Sequence, residues 1–448
     1  MAPSYYLILQ LEIYIYQPVM FFKKLWFCIT ITLISFNLFS QEIYKDTLNI
    51  SLHGADSLFI QKNLALLAEK CNIDAAKAQI IQARLFQNPS ITIDQNVYNS
   101  EYKTNGGRKW FDYTDKGETS VQIDKLFLLA GKRNKQIRLA ELAADKEGHI
   151  YFDLVRTLKF SLHSCFFDIY FLNRILKVYN NEIVSVKKLI DVSEAQYSKE
   201  FISKKELLRL KANLFSLENE KLDYSTQLTG RMGDLNLLLH TSNVFYSPQA
   251  DLKAYEKISP ASFRIQSLID TALVSRYDLK MAQADLSISK MNLDYQKALA
   301  VPDLTISGGW DRNGSFIHNY NYLGLQTALP LFNRNQGNIK SAKFLTENSR
   351  YKLESAEEQV KADVISSYAG AIETNSLYES FDKKFLDEMD MMSREMLKNY
   401  EKRNVSLVEF IDYYDAYKEN TVGYYKLLFN RINSFENINY SVGKEIMR

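Results

Sequence analysis

The residue types best suited to catalysis or metal binding are scattered along this sequence. Five histidines occur, at no spacing typical of metal ligands: His53, His149, His163, His240 and His318. His163 and Cys165 are two apart in a helical pattern, so their side chains diverge, and a core or surface role is favoured over a catalytic dyad. Gly308-Gly309 lacks a phosphate-loop context and indicates a bent strand or turn. We expect no catalytic site, metal or cofactor, and predict that the chain is not an enzyme.

The composition favours unusually long helices. Only 16 glycines and seven prolines occur among 448 residues. Residues 90–247 and 331–448 contain no proline, so nothing of that kind interrupts a helix there. The chain has 55 Lys and Arg against 53 Asp and Glu, so its net charge is close to zero. This charge balance does not indicate a nucleic-acid partner.

The N-terminal region has the pattern of an export signal. Residues 20–40 contain a basic start, a short apolar run and a small residue before a polar stretch. We interpret them as a signal peptide, because the run is shorter than a bilayer-spanning helix. Residues 1–19 are then a non-native or mis-assigned extension. After cleavage Cys71 and Cys165 remain; a disulfide between them stays open, but buried free thiols are favoured.

The sequence repeats itself after about 200 residues, which predicts two tandem structural repeats. The segment at 129–137 recurs at 331–339, and the segment at 196–203 recurs at 399–406. The copies at 129–137 and 331–339 each follow an alternating stretch and open a long helical pattern. We place the first repeat at residues 41–260 and the second at 261–448.

Each repeat predicts two strands and long helices. Alternating segments predict strands, and 3.5- to 3.6-residue periodicity predicts helices and antiparallel coiled-coil hairpins. The predicted strands are 90–97, 119–124, 303–308 and 322–329. The predicted helices include 51–88, 132–200, 267–300 and 335–402, with hairpin tips near 200–204 and 402–405. Residues 243–262 are predicted to link the repeats.

Four strands are too few to close a membrane barrel, which needs about eight. If the strands lie in a membrane, several chains must therefore share one barrel. The alternative is a small soluble sheet that caps a helical bundle.

With these elements placed, the chain resembles the TolC family of outer-membrane efflux proteins over most of residues 51–443. The resemblance rests on the paired segments at 129–137 and 330–339, on Arg276-Tyr-Asp-Leu279 and on the phrase at 400–412. It implies a mainly α fold with a small membrane β-barrel. It also implies a homotrimer that shares a 12-stranded barrel in the cell outer membrane and an α-helical tunnel in the periplasm. The implied partners are a periplasmic adaptor (membrane fusion protein), an inner-membrane transporter and outer-membrane lipid.

The resemblance also implies a periplasmic gate formed by acidic residues after the second hairpin tip. These fall on Glu409 and Asp412, which share one helix face, so that threefold symmetry would gather six carboxylates. Glu206 is the first-repeat counterpart of Glu409, but Arg209 replaces the second acid. The plainer interpretation is a solvated helix face.

The tips would dock against the adaptor. Their residues are Phe201, Ile202, Ser203, Asn404, Val405 and Ser406. The family usually has glycine in the tip turn, whereas Glu200 and Arg403 stand here. We expect Asn404 to supply the left-handed conformation.

The sequence therefore predicts the outer-membrane exit duct of a tripartite efflux pump. One alternative is a periplasmic structural coiled-coil protein with no transport role. A secreted enzyme on a helical scaffold is disfavoured by the scattered polar residues.

Overall fold

Long helices dominate the structure, as the scarcity of proline and glycine predicts. The computed structural model describes residues 46–98, 110–111, 117–242, 244–313 and 317–447. The predicted signal peptide at 20–40 and the extension at 1–19 lie outside these residues. The first long helix alone has 66 residues, which at 1.5 Å per residue makes it about 100 Å long.

The elements occur twice in nearly the same order. The strands are β1 (Asp46–Ser51), β2 (Ser90–Gln95), β3 (Thr119–Phe127), β4 (Val244–Gln249), β5 (Leu304–Asp311) and β6 (Tyr320–Thr327). The first-half helices are α1 (Leu52–Lys62), α2 (Leu64–Arg84), α3 (Lys132–Tyr197) and α4 (Lys204–Leu238). The remaining helices are α5 (Lys253–Glu256), a 3₁₀ turn (Pro260–Ser262), α6 (Ile265–Ser275), α7 (Tyr277–Leu299), α8 (Gln336–Ser380), α9 (Lys383–Glu401) and α10 (Leu407–Val442).

Three helices that were predicted to be continuous are interrupted. The 51–88 pattern breaks at Asn63, whose side-chain oxygen accepts from Leu66 N at 3.2 Å and whose amide donates to Leu238 O at 2.9 Å. The 267–300 pattern breaks at Arg276, and the 335–402 pattern breaks between Ser380 and Lys383. At Asn63 the side chain caps the new helix, which satisfies a backbone N–H that the break exposes.

The four predicted strands form one antiparallel sheet in the order β2-β3-β5-β6. The register places Ile91, Ile123, Gly308 and Leu323 side by side, so they share one face. This apolar face is exposed: Ile93 is 67% and Leu323 is 79% accessible. The opposite face is polar, with Thr92, Asp94, Ser120, Gln122, Asp124, Ser307 and Asp311 among its residues. Within the described residues, β2 and β6 each have one unpaired edge.

Gly309 allows an aromatic ring to cross the polar face. It is paired with Tyr322, and a Cβ at Gly309 would lie only 2.4 Å from the tyrosine ring. The ring therefore passes over β5, and its hydroxyl donates to Gln122 Oε1 on β3 at 2.7 Å. The glycine pair predicted to bend a strand or turn instead lies within β5, where Gly309 provides this close approach.

A second, parallel sheet was not predicted. β1 pairs with β4 from Asp46–Val244 to Ser51–Gln249. The pairing joins the start of the first half to residues that were expected to be only a linker. Pro248 lies within β4, which is consistent with the edge position that proline needs in a sheet.

The core has two parts. One surrounds the buried rings of Phe166, Phe167 and Phe435, and the other lies between the hairpins around Leu210 and Phe410. Cys165 is buried and Cys71 is exposed, and both thiols are free, so the alternative of a disulfide is wrong, as is the expected burial of Cys71. Among the described helices, none combines the length and the apolar character required to cross a bilayer.

Candidate functional site

The two hairpin tips have the same backbone geometry. At the end of α3, Phe201 N donates to Gln196 O and Glu200 N donates to Tyr197 O, both at 2.9 Å. The equivalent pair after α9 is Asn404 N to Asn399 O and Arg403 N to Tyr400 O, also at 2.9 Å. This is the Schellman pattern, which requires a left-handed residue before the last donor.

The left-handed residues are Glu200 (φ 60°) and Arg403 (φ 62°). The expectation that Asn404 would adopt this conformation is wrong. Asn404 is the last donor of the pattern, one position too late. Both tips therefore keep the turn that glycine would favour, with a charged residue at the strained position.

A capping box opens the helix after each tip. Ser203 Oγ accepts from Glu206 N at 3.2 Å, and Glu206 Oε2 accepts from Ser203 N at 3.1 Å. Ser406 and Glu409 repeat this exchange at 3.3 and 2.9 Å. The sequence carries the Ser-x-x-Glu signature at both places, so these roles were readable but were missed.

The structure thus gives the three predicted gate acids different surroundings. Glu409 is exposed, and its hydrogen bonds with the Ser406 backbone and side chain hold its pKa below the ordinary 4.5. Glu206 is half-buried and bound in the same way to Ser203. Asp412 is exposed and makes no side-chain hydrogen bond or ion pair with the part of the chain that the structure describes. A carboxylate bound to its own N-cap is restrained, whereas Asp412 is free to face solvent or a neighbour.

The two tips lie beside one another. The Arg403 guanidinium lies over the Phe201 ring at 5.1 Å, although that ring is still 61% exposed. Ile202 and Val405 are half-buried, while Ser203, Asn404 and Ser406 are exposed. The predicted docking residues therefore form one surface at the end of both hairpins.

A buried ionic cluster at His163 was missed by the sequence analysis. His163 is 2% exposed, and its ring nitrogens contact Asp56 Oδ1 at 2.8 Å and Glu436 Oε2 at 3.0 Å. Tyr255 Oη donates to the other Glu436 oxygen at 3.2 Å. The cluster connects α1, α3 and α10. No local sequence signal reveals it, because its members are far apart in the chain.

A second ionic cluster, with Lys418 and Glu182 buried, lies between the hairpins. Lys418 Nζ contacts Glu220 Oε2 at 3.0 Å and Asp415 Oδ1 at 3.3 Å. Glu182, on α3, is 3% exposed and its Oε1 lacks a hydrogen-bond partner in the described structure. Burial raises the pKa of Glu182 to about 8, despite the nearby Lys418 charge. Across the described ranges, His, Cys, Asp and Glu form no group of three able to hold a metal ion.

Parts of this sequence are similar to known proteins. Residues 268–379 match the sequence model of the family described as outer membrane efflux protein. The chain is 23% identical over 297 residues to the cobalt-zinc-cadmium resistance protein CzcC of Cupriavidus metallidurans, which covers 65% of this chain and 66% of that protein. This chain is thus similar in sequence to outer membrane efflux proteins.

Solved structures show the same fold. CusC has a TM-score of 0.71 at 15% identity, over 88% of this chain and 92% of its own. The CmeC outer membrane channel of Campylobacter jejuni has a TM-score of 0.66 at 13% identity, over 88% and 86%. These similarities confirm the resemblance predicted from the sequence, and the shared fold confirms the predicted combination of long helical hairpins and a strand-bearing end.

Proposed function

We propose that this chain forms the outer-membrane exit duct of a tripartite efflux pump. The observation that carries the proposal is the four-stranded sheet, which has one exposed apolar face, one polar face and two free edges at the end of very long helices. An apolar face of this kind is stable in lipid, and the polar face suits a water-filled interior. The duct performs no chemistry, and the energy for transport comes from its inner-membrane partner.

Three copies satisfy the free strand edges. The unpaired edge of β2 in one copy can pair with that of β6 in the next, and three sheets of four strands make a closed 12-stranded barrel. The helices support the same association, since Leu208, Phe215 and Leu222 form an exposed stripe at heptad spacing along α4. A second copy of this chain is the partner that such a stripe fits, and the helices of three copies would enclose the tunnel.

The similarity to outer membrane efflux proteins supports a periplasmic adaptor and an inner-membrane transporter as partners. We assign the adaptor contact to Phe201, Ile202, Ser203, Asn404, Val405 and Ser406. Their exposure at the joint end of both hairpins supports this assignment, because the end farthest from the sheet is the one that faces the inner membrane.

We propose Glu409, Asp412 and Glu206 as the periplasmic gate. The free carboxylate of Asp412 makes it the most direct candidate, while Glu409 and Glu206 also hold their capping boxes.

We also propose that the chain divides at residue 260 into two repeats, with residues 20–40 as the signal that directs export.

The proposal is tested by fractionation and by electrical recording. The mature chain should be recovered in the outer-membrane fraction, should require detergent for extraction as a trimer, and should form conducting pores in planar bilayers. A periplasmic structural coiled-coil protein would instead be released without detergent and would not conduct. A soluble monomer would refute the proposed function.

A further inference from the structure

A cavity of about 380 Å³ lies where the sheet meets the helices. It lies between the end of α2 and the segment that joins β3 to α3. Its lining includes two basic residues, Lys125 and Arg133, and no acidic residue. The nearby Glu141 is already paired with Arg84 and Arg138.

Two of the strand residues that line the cavity lie on the apolar face of the sheet. Lys125 and Phe127 alternate with the polar-face residues of β3, so they share the face of Ile123. Apolar side chains surround the basic groups: Leu85 is 57% and Phe86 is 72% exposed. The site thus combines positive charge with exposed apolar surface at the boundary of the proposed membrane band.

Both basic side chains have N–H donors beyond those that bond to the protein. Arg133 donates from Nη2 to Arg84 O, and its guanidinium lies 4.0 Å from the centroid of the Phe86 ring. Its Nε is fully buried and has no hydrogen-bond partner among the described residues. Lys125 Nζ donates to Gln87 O and has two further N–H groups. The remaining N–H groups of Arg133 and Lys125 can donate to an acceptor that the protein itself does not provide.

We propose that this cavity binds the phosphate headgroup of a membrane phospholipid, with the acyl chains lying along Leu85, Phe86 and Phe127. Arg and Lys donors suit a phosphate, and basic pockets beside a membrane bind lipid headgroups. A lipid, rather than a free anion, is favoured because the exposed apolar side chains border the charge. The inference rests on the proposed function, because only a sheet placed in a bilayer meets such a lipid.

Native mass spectrometry of the detergent-purified trimer tests this inference. The probes are dioleoyl phosphatidylglycerol, dioleoylglycerol with the same chains but no phosphate, and inorganic phosphate. We expect one phosphatidylglycerol per chain, little dioleoylglycerol, and no displacement of the lipid by inorganic phosphate. The double variant Lys125→Gln/Arg133→Gln should bind the phospholipid about tenfold more weakly.

A matched control removes the same charge elsewhere. Lys77→Gln/Arg350→Gln alters two exposed residues that are paired on their own helices, and it should bind lipid as the wild type does. Equal binding by Lys125→Gln/Arg133→Gln and the wild type would overturn the proposal. Equal retention of dioleoylglycerol, or displacement by inorganic phosphate, would do the same. All variants should still conduct, so a failure of the lipid site is distinguishable from a failure of the proposed channel.

Discussion

At the scale of single residues, His163 is a buried titratable group with a carboxylate at each ring nitrogen. It is buried between two carboxylates on different helices, and a neutral imidazole can donate from only one nitrogen. Burial alone lowers the pKa of His163, but hydrogen bonds to Asp56 and Glu436 and the charges of both carboxylates outweigh it and raise the pKa above 6.5. The geometry therefore favours an imidazolium that joins α1, α3 and α10.

The stability of the protein should fall at alkaline pH. Because the folded-state pKa of His163 is raised, its contribution is complete below pH 6.5 and is lost as pH rises through the folded-state value. His163→Gln should cost about 3 kcal/mol at pH 6, since it removes the positive charge that lies between two buried carboxylates, and should flatten the pH dependence. Thermal unfolding from pH 6 to 9 measures this. His149→Gln, at a half-buried histidine 3.6 Å from Asp145, is the control and should change little. An unchanged pH profile in His163→Gln would contradict the account.

The gate proposal also belongs to single residues. Glu409→Gln keeps a capping-box acceptor while it removes the charge, whereas Asp412→Asn removes a charge that has no structural partner. We expect both to reduce cation selectivity or raise single-channel conductance in planar bilayers, with normal thermal stability. Arg209→Gln, at the first-repeat counterpart of Asp412, is the control. If Glu409→Gln and Asp412→Asn both conduct like the wild type, these acids are only a solvated helix face.

At the scale of elements, both hairpin tips contain backbone strain that the sequence does not reveal. Glu200 and Arg403 occupy a left-handed conformation that costs a non-glycine residue about 1–2 kcal/mol. Glu200→Gly should therefore stabilise the protein by about 1 kcal/mol. Lys199→Gly, one position earlier, lacks that strain and should be neutral or destabilising. Denaturant unfolding compares the two variants, and destabilisation by Glu200→Gly would show that the tip stores no strain.

Most elements could be predicted from sequence because their signals are local. Alternation found all four strands of the large sheet within a few residues. The 3.5-residue periodicity predicted the hairpins, and the structure buries Leu207, Leu210 and Leu217 between them. The parallel pairing of β1 with β4 could not be found, because it joins short segments about 200 residues apart. The left-handed position depends on where α9 ends, so choosing Asn404 for its residue type placed this position one residue too late.

The candidate sites also differ in how far the sequence could predict them. The tips and gate acids could be located only through the family resemblance and the repeat. Their capping boxes were written in the sequence as Ser-x-x-Glu. The clusters around His163 and Lys418, and the cavity at Arg133, assemble residues from separate helices, so only the folded chain brings them together.

At the scale of the whole molecule, the sheet supports the proposed trimer. A sheet with two free edges and an exposed apolar face is an aggregation hazard in water, but it is stable if the edges pair and the face meets lipid. The exposed heptad stripe on α4 likewise needs a partner that covers it. Three copies around one axis satisfy both requirements, and this closure is the central claim.

Cysteine cross-linking between the free edges tests that closure most directly. In a Cys71→Ser/Cys165→Ser background, one cysteine at Ile91 or Ile93 on β2 is paired with one at Asn321, Leu323 or Leu325 on β6. Within one chain β3 and β5 separate these strands by about 14 Å, too far for a disulfide, so every cross-link must join two copies. A cysteine at Val121 on β3, combined with Leu323→Cys, is the control. We predict, in intact outer membranes, a covalent ladder that ends at the trimer for at least one β2–β6 pair and no ladder for the control. Absence of cross-links at every β2–β6 pair, or a ladder that continues beyond three chains, would contradict the account.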